Sequence, residues 1–71
     1  MNQEKAPHLI EHEIRVLRLV AQGLTNKQIT CDLGIKERTV EYHLGGIFQR
    51  LDVTSRTAAA MTAQKLRLLD V

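Results

Sequence analysis

Three groupings in this sequence have the residue types and spacing for chemistry. His8-Leu9-Ile10-Glu11-His12 spells H-x-x-E-H, the inverted zinc-peptidase spacing of two imidazoles and a carboxylate. A zinc hydrolase needs that pattern on a formed helix, with a third ligand and a cleft. Here it follows Pro7 at a helix entrance, in a chain too small for the cleft, and the match reads as an accident of spacing. Cys31 lies between Thr30 and Asp32 with no basic cluster beside it in sequence, and reads as a passive, half-buried thiol rather than a redox sensor. The third grouping is a helix start, Thr25-Asn26-Lys27-Gln28, whose first amides and neighbouring lysine make an anion site. No catalytic residue, cofactor or metal is expected from these groupings.

The chain that must position these groups is short. Its 71 residues make one domain with a modest core, because a chain of this size buries only about 60% of the surface its unfolded form exposes. A single cysteine excludes an intrachain disulfide and a four-cysteine zinc site. Residues 1–7 are polar and include Glu4, so they lack the apolar region of a signal peptide. No apolar run approaches the roughly 18 residues of a membrane span, and a cytoplasmic protein without membrane contact is expected. Ten Lys and Arg against eight Asp and Glu leave a net +2, all of it in residues 36–71. That balance permits a nucleic-acid partner without demanding one.

Apolar residues recur with helical period. Ile10, Ile14, Leu17, Ala21 and Leu24 step by four, three, four and three, and Val16 and Val20 widen the stripe. Gly23 ends this first helix by supplying a left-handed conformation. Thr25 and Gln28 form a capping box for a second helix of about two turns, with Ile29 and Leu33 inward and Gly34 as its stop. Ile35 bridges to a third helix, roughly Glu37 to Leu51, whose inner stripe is Val40, Leu44, Ile47 and Leu51 and whose N-cap, Lys36, offers no acceptor. An Asp52-Val53-Thr54 link leads to Ser55, a better cap, and a fourth helix of about Arg56 to Leu68. Strands are not expected, since Tyr42 and Phe48 are the only aromatics and no β-branched run alternates. The fold class is all-α: a flexible arm of residues 1–8, then a compact four-helix domain over residues 9–71.

A two-turn helix, a tight Gly-Ile turn and a longer helix make a helix-turn-helix, whose second helix commonly lies in the DNA major groove. The residues sharpen that reading. Val16-Leu17-Arg18-Leu19-Val20-Ala21-Gln22-Gly23-Leu24-Thr25-Asn26-Lys27-Gln28-Ile29 resembles the signature of the LuxR/FixJ/NarL (GerE-type) effector domains. So do Leu33-Gly34-Ile35, Arg38-Thr39-Val40-Glu41-Tyr42-His43-Leu44, Ile47, Arg50-Leu51, Val53 and Ser55-Arg56-Thr57. The match covers about residues 9–66, in order and at family spacing. It implies a four-helix DNA-binding domain of bacterial transcription regulators, which usually follows a receiver or ligand-sensing domain and in some members stands alone.

Around the third helix, with Val40 at zero and about 100° per residue, Leu44, Ile47 and Leu51 fall within about 40° of Val40. Arg38, Tyr42, Gly45 and Gln49 fall at about 140–200°, with Glu41 flanking them at about 100°. These five are the expected base-reading face, and the family's base-reading positions correspond to Glu41, Tyr42 and Gly45. Many members carry Lys or Arg at the position of Glu41, and often at that of Gly45. Glu41 can only accept a hydrogen bond, which makes cytosine N4 its natural target. Gly45-Gly46 costs the helix roughly 2 kcal/mol relative to alanine; the pair serves either close backbone approach to a duplex or nothing beyond a tolerated outer surface.

Phosphate contacts are expected at Thr25, Asn26 and Lys27, at Lys36 beside the entrance of the third helix, and at Arg50 and Arg56. Taken singly, each base reads equally well as a solvated surface group. His43 fills the histidine slot of the family's Thr-Val-x-x-His motif and reads as a packed, hydrogen-bonded histidine at the core's border. Glu13 reads as the structural partner of a nearby base. Ile10 and His12 replace the family's usual Thr cap and Arg. Ala59, Ala60 and Ala63 of the fourth helix are the expected contact of a weak homodimer. The partners expected are thus double-stranded DNA, a second copy of the chain and, in a competing reading of the helix-turn-helix as a protein-contact scaffold, RNA polymerase. No enzymatic activity is expected.

Overall fold

Helix boundaries in this chain follow the residues that can satisfy the backbone groups a helix end leaves without partners. The computed structural model describes residues 9–65, which form α1 (Glu11–Ala21), α2 (Asn26–Leu33), α3 (Glu37–Leu51) and α4 (Arg56–Lys65). There is no strand among the described residues. The expected arm of residues 1–8 and the continuation of the fourth helix to Leu68 lie outside them.

At α2 the capping box is complete. The Gln28 amide donates to Thr25 Oγ1 at 3.2 Å, and the Thr25 amide donates to Gln28 Oε1 at 2.9 Å. Ser55 caps α4, its Oγ accepting from the Ala58 amide at 3.1 Å. α1 has half a box: Ile10 offers no acceptor, but its own amide donates to Glu13 Oε1 at 3.2 Å. Lys36 makes no side-chain cap. Gly23 and Gly34 take φ of 94° and 69°, the left-handed region in which a side chain is disfavoured. Asp52 closes α3 at φ 58°, so the link after α3 is itself a left-handed cap, supplied by a residue type that tolerates it better than most.

The core is built from Val16, Leu17 and Val20 of α1, Ile29 of α2, Val40, Leu44, Ile47 and Leu51 of α3, and Ala59 and Ala63 of α4. α1 packs against both α3 and α4, and α2 lies against α3. The inner stripe of α3 is the one its spacing predicts. That of α1 is rotated: the buried face is Glu13, Val16, Leu17 and Val20, whereas Ile10 is half exposed and Ile14, Ala21 and Leu24 are only partly buried. A carboxylate outside the expected stripe thus stands on the buried face, held by Arg50 of α3 and by the Ile10 amide.

α4 requires a second correction. Ala59 and Ala63, expected at a contact between copies, are fully buried in this chain's own core. Their small side chains let α4 lie close against α1, since interaxial distance is set by the residues at the contact. Ala60 is half-buried and Met61 exposed, so they remain open on the outer side of α4 where the buried pair does not.

Candidate nucleic-acid interface

With Val40, Leu44, Ile47 and Leu51 turned inward, helix geometry forces Arg38, Glu41, Tyr42, Gly45 and Gln49 outward, and all five are exposed. Tyr42 keeps 78% of its surface open, a large share for an aromatic residue. Glu41, Tyr42, Gly45 and Gln49 line one shallow depression that runs past Arg50 to Ile10 at the entrance of α1. Arg38 is exposed in the first turn of α3 and does not line it. Glu41, Tyr42 and Gln49 give the depression an acceptor-only carboxylate, a phenol that can donate or accept and an amide that does both, and Arg50 adds a donor-only guanidinium.

Beneath this face, Gly46 and Glu13 account for each other. The Glu13 carboxylate is buried and lies 3.5 Å from Arg50 Nη1, with the Ile10 amide on its other oxygen. A Cβ on Gly46 would come within 2.5 Å of Glu13 Oε2, while a Cβ on Gly45 would meet nothing within 4 Å. The two glycines therefore differ in origin. A side chain on Gly46 would displace the Glu13 carboxylate beside Arg50, whereas Gly45 faces open space. Gly45→Ala is expected to stabilise the domain by about 0.5–1 kcal/mol, the ordinary helix-interior gain, and to raise its thermal midpoint by about 2–8 °C. Gly46→Ala is expected to show no such gain, since Glu13 must leave its partners. Circular dichroism melts of the two variants check the contrast, and equal gains would refute the role given to Glu13.

Glu13 finds its expected base in Arg50, which is thereby fixed at the edge of the α3 face. At the start of α2, the amides of Asn26 and Lys27 precede Ile29, the first to donate within the helix, and so have no acceptor in it. Thr25 and Lys27 share a shallow surface with Gln28, Cys31 and Asp32. Lys36 is exposed at the N-cap of α3.

Arg56, expected at a phosphate, is turned to another use in this structure. Its Nη1 donates to Asn26 Oδ1, and its Nη2 donates to the Leu24 carbonyl at 2.7 Å. Both bonds span 30 or more residues, and no local sequence signal announces them.

One motif residue is placed differently from its sequence reading, and another keeps the core-border position that reading gives it. Cys31 is exposed rather than half-buried, because it lies about 200° around α2 from the buried Ile29. His43 is half-buried, its ring centroid 5.6 Å from that of His12 and 5.7 Å from that of Tyr42. Of the H-x-x-E-H residues, Leu9 and Ile10 precede α1, Glu11 and His12 open it, and His8 lies outside the described residues. Among the described residues no three His, Cys, Asp or Glu side chains are grouped to hold a metal, and no helix is long and apolar enough to cross a membrane.

Residues 8–63 match the family described as bacterial regulatory proteins, luxR family. The chain is 39% identical over 69 residues to the transcriptional regulatory protein YdfI of Bacillus subtilis, covering 97% of this chain and 32% of YdfI. It is 47% identical over 53 residues to the nitrate/nitrite response regulator protein NarP of Escherichia coli, covering 75% of this chain and 25% of NarP. Among solved structures, the response regulator ChrA of a heme-sensing two-component system superposes with a TM-score of 0.82 at 43% identity, over 86% of this chain and 30% of ChrA. The chain therefore spans about a third or less of the length of these relatives.

Proposed function

The chain belongs to the luxR family of bacterial regulatory proteins, and we propose that it is the part of such a regulator that binds double-stranded DNA by sequence. The observation that carries this reading is the exposure of Arg38, Glu41, Tyr42, Gly45 and Gln49 along one side of α3, opposite a stripe that is wholly core. A helix with that division can enter the major groove without disturbing its own packing. In this reading Glu41 accepts from a cytosine N4, Tyr42 and Gln49 supply further contacts to base edges, and Gly45 admits the backbone close to the duplex. The helix starts and the bases beside them, at Thr25, Asn26, Lys27, Lys36 and Arg50, hold phosphates and fix the register.

Two copies occupy adjacent half-sites in the cytoplasm, paired through the outer side of α4 at Ala60 and Met61. Members of the family are transcription regulators rather than enzymes, and the mechanism here is binding without chemistry.

Selection from a randomised duplex pool at low salt tests the reading. It is expected to enrich a repeat of short half-sites. Lys27→Ala is then expected to weaken binding to every sequence about equally. Glu41→Ala is expected to relax preference at one base pair, where a good contact carries about 1–3 kcal/mol of discrimination. Unchanged binding in both variants overturns the docking; retention without enrichment means attraction to phosphate alone.

A further inference from the structure

We propose that Arg56 is a positioning residue for the DNA-binding surface: its guanidinium sets the start of α2 against the phosphate backbone and does not itself contact a phosphate. This rests on the DNA-binding reading above and departs from the role that sequence alone assigns to Arg56.

The argument starts from what the guanidinium holds. Leu24 and Asn26 flank Thr25, the N-cap of α2, and Arg56 bonds to both of them. Leu24 is tied from its other side as well, its amide donating to the Leu19 carbonyl at 3.1 Å in the last turns of α1. One planar fork on the first residue of α4 therefore joins the end of α1, the cap of α2 and α4 itself. The rest of α2 is fixed separately, by Ile29 in the core near its middle and by Leu33 packed against the core at its far end. Two fixed ends determine the axis of a helix of 8 residues. The direction in which its first amides point follows from that axis.

The contact also decides the chemistry of Asn26. A cation beside Oδ1 leaves the NH2 group as the remaining end of that amide, and NH2 only donates. Asn26 thus turns its donor end to the start of α2 beside Lys27, which suits an anion. Arg56 and Asn26 are both half-buried, as befits a joint within the fold. A lysine cannot replace this arrangement, because an ammonium on a flexible stem lacks the fixed fork that spans two acceptors.

The test is fluorescence anisotropy with a random-sequence duplex of about 20 base pairs, at 15 °C and across a salt series. The proteins are the parent chain, Asn26→Ala, Arg56→Lys, Arg56→Met and the Asn26→Ala/Arg56→Lys double variant, with circular dichroism melts of each. Arg56→Lys and Arg56→Met are both expected to lose about tenfold in affinity, with the parent's slope of log K against log salt. The double variant is expected to bind no worse than the weaker single variant, since both substitutions break one joint. Near-parent affinity for Arg56→Lys, with a slope shallower by about 0.9 for Arg56→Met, overturns the proposal and makes Arg56 a phosphate ligand. A lower melting point with parent affinity in folded Arg56→Lys also overturns it, leaving Arg56 a contact of stability only. Should Arg56→Met fail to fold, Arg56→Lys and the double variant decide. A parent chain that does not bind even at low salt brings down the DNA-binding reading itself; additive losses in a parent that binds bring down only the role of Arg56.

Discussion

Raising the salt from 50 to 200 mM is expected to weaken binding of this chain to its preferred duplex by about three orders of magnitude. The estimate follows from the phosphate contacts proposed for Lys27, Lys36 and Arg50. Each phosphate neutralised contributes about −0.9 to the slope of log K against log salt, so two copies on DNA give a slope near −5 and one copy a slope near −3. A fourfold rise in salt then costs about 2,000-fold for two copies and about 40-fold for one. Met61→Lys, on the exposed side of α4, is expected to convert the steep dependence to the shallow one by placing like charges where the copies meet. A slope near −1 in the parent chain means that these bases are solvated and the docking is wrong. The net charge of +2 does not bear on the outcome, since counterion release depends on the cations that face the duplex.

Ile47→Ala is expected to be the most damaging of single substitutions on α3. Ile47 is fully buried, and truncating such a side chain costs about 2–5 kcal/mol, transfer and cavity together. A domain this small has a total stability near the low end of the ordinary 5–15 kcal/mol, so a large part of it is lost. The thermal midpoint should fall by about 10–30 °C, and DNA binding at 37 °C should fail with it. Tyr42→Ala, five residues earlier on the outer side of the same helix, should leave the melt unchanged within about 0.5 kcal/mol while weakening binding to DNA. A melt of Ile47→Ala within a few degrees of the parent's contradicts the packing described here.

The fold was legible where local and global preferences agree. α3 shows its two faces in its own residues, because apolar spacing of four, three and four leaves one side to solvent whatever packs on the other. α2 is bounded by Thr25 and Gln28 at one end and Gly34 at the other, all acting within a few residues. What stayed hidden depends on residues far apart. The burial of Glu13 needs both Arg50 and the missing side chain at Gly46, and neither is visible from α1. Ala59 and Ala63 suit a contact between copies as well as close packing within one, and only the approach of α1 separates the two. The candidate face on α3 was thus readable from periodicity and family resemblance, whereas the joint at Arg56 required the tertiary structure.

That joint bears on the order in which the protein becomes competent during its synthesis. α4 follows the other three helices out of the ribosome, and it brings Ala59, Ala63 and the Arg56 guanidinium with it. Until then, α1 lacks the cover of α4, and Leu24 and Asn26 lack their shared cation. A nascent chain that has already emerged through α3 holds every residue of the proposed reading face and still has no finished platform to aim it. On the proposed reading, the ability to read DNA arrives with the helix that contributes none of the proposed base contacts.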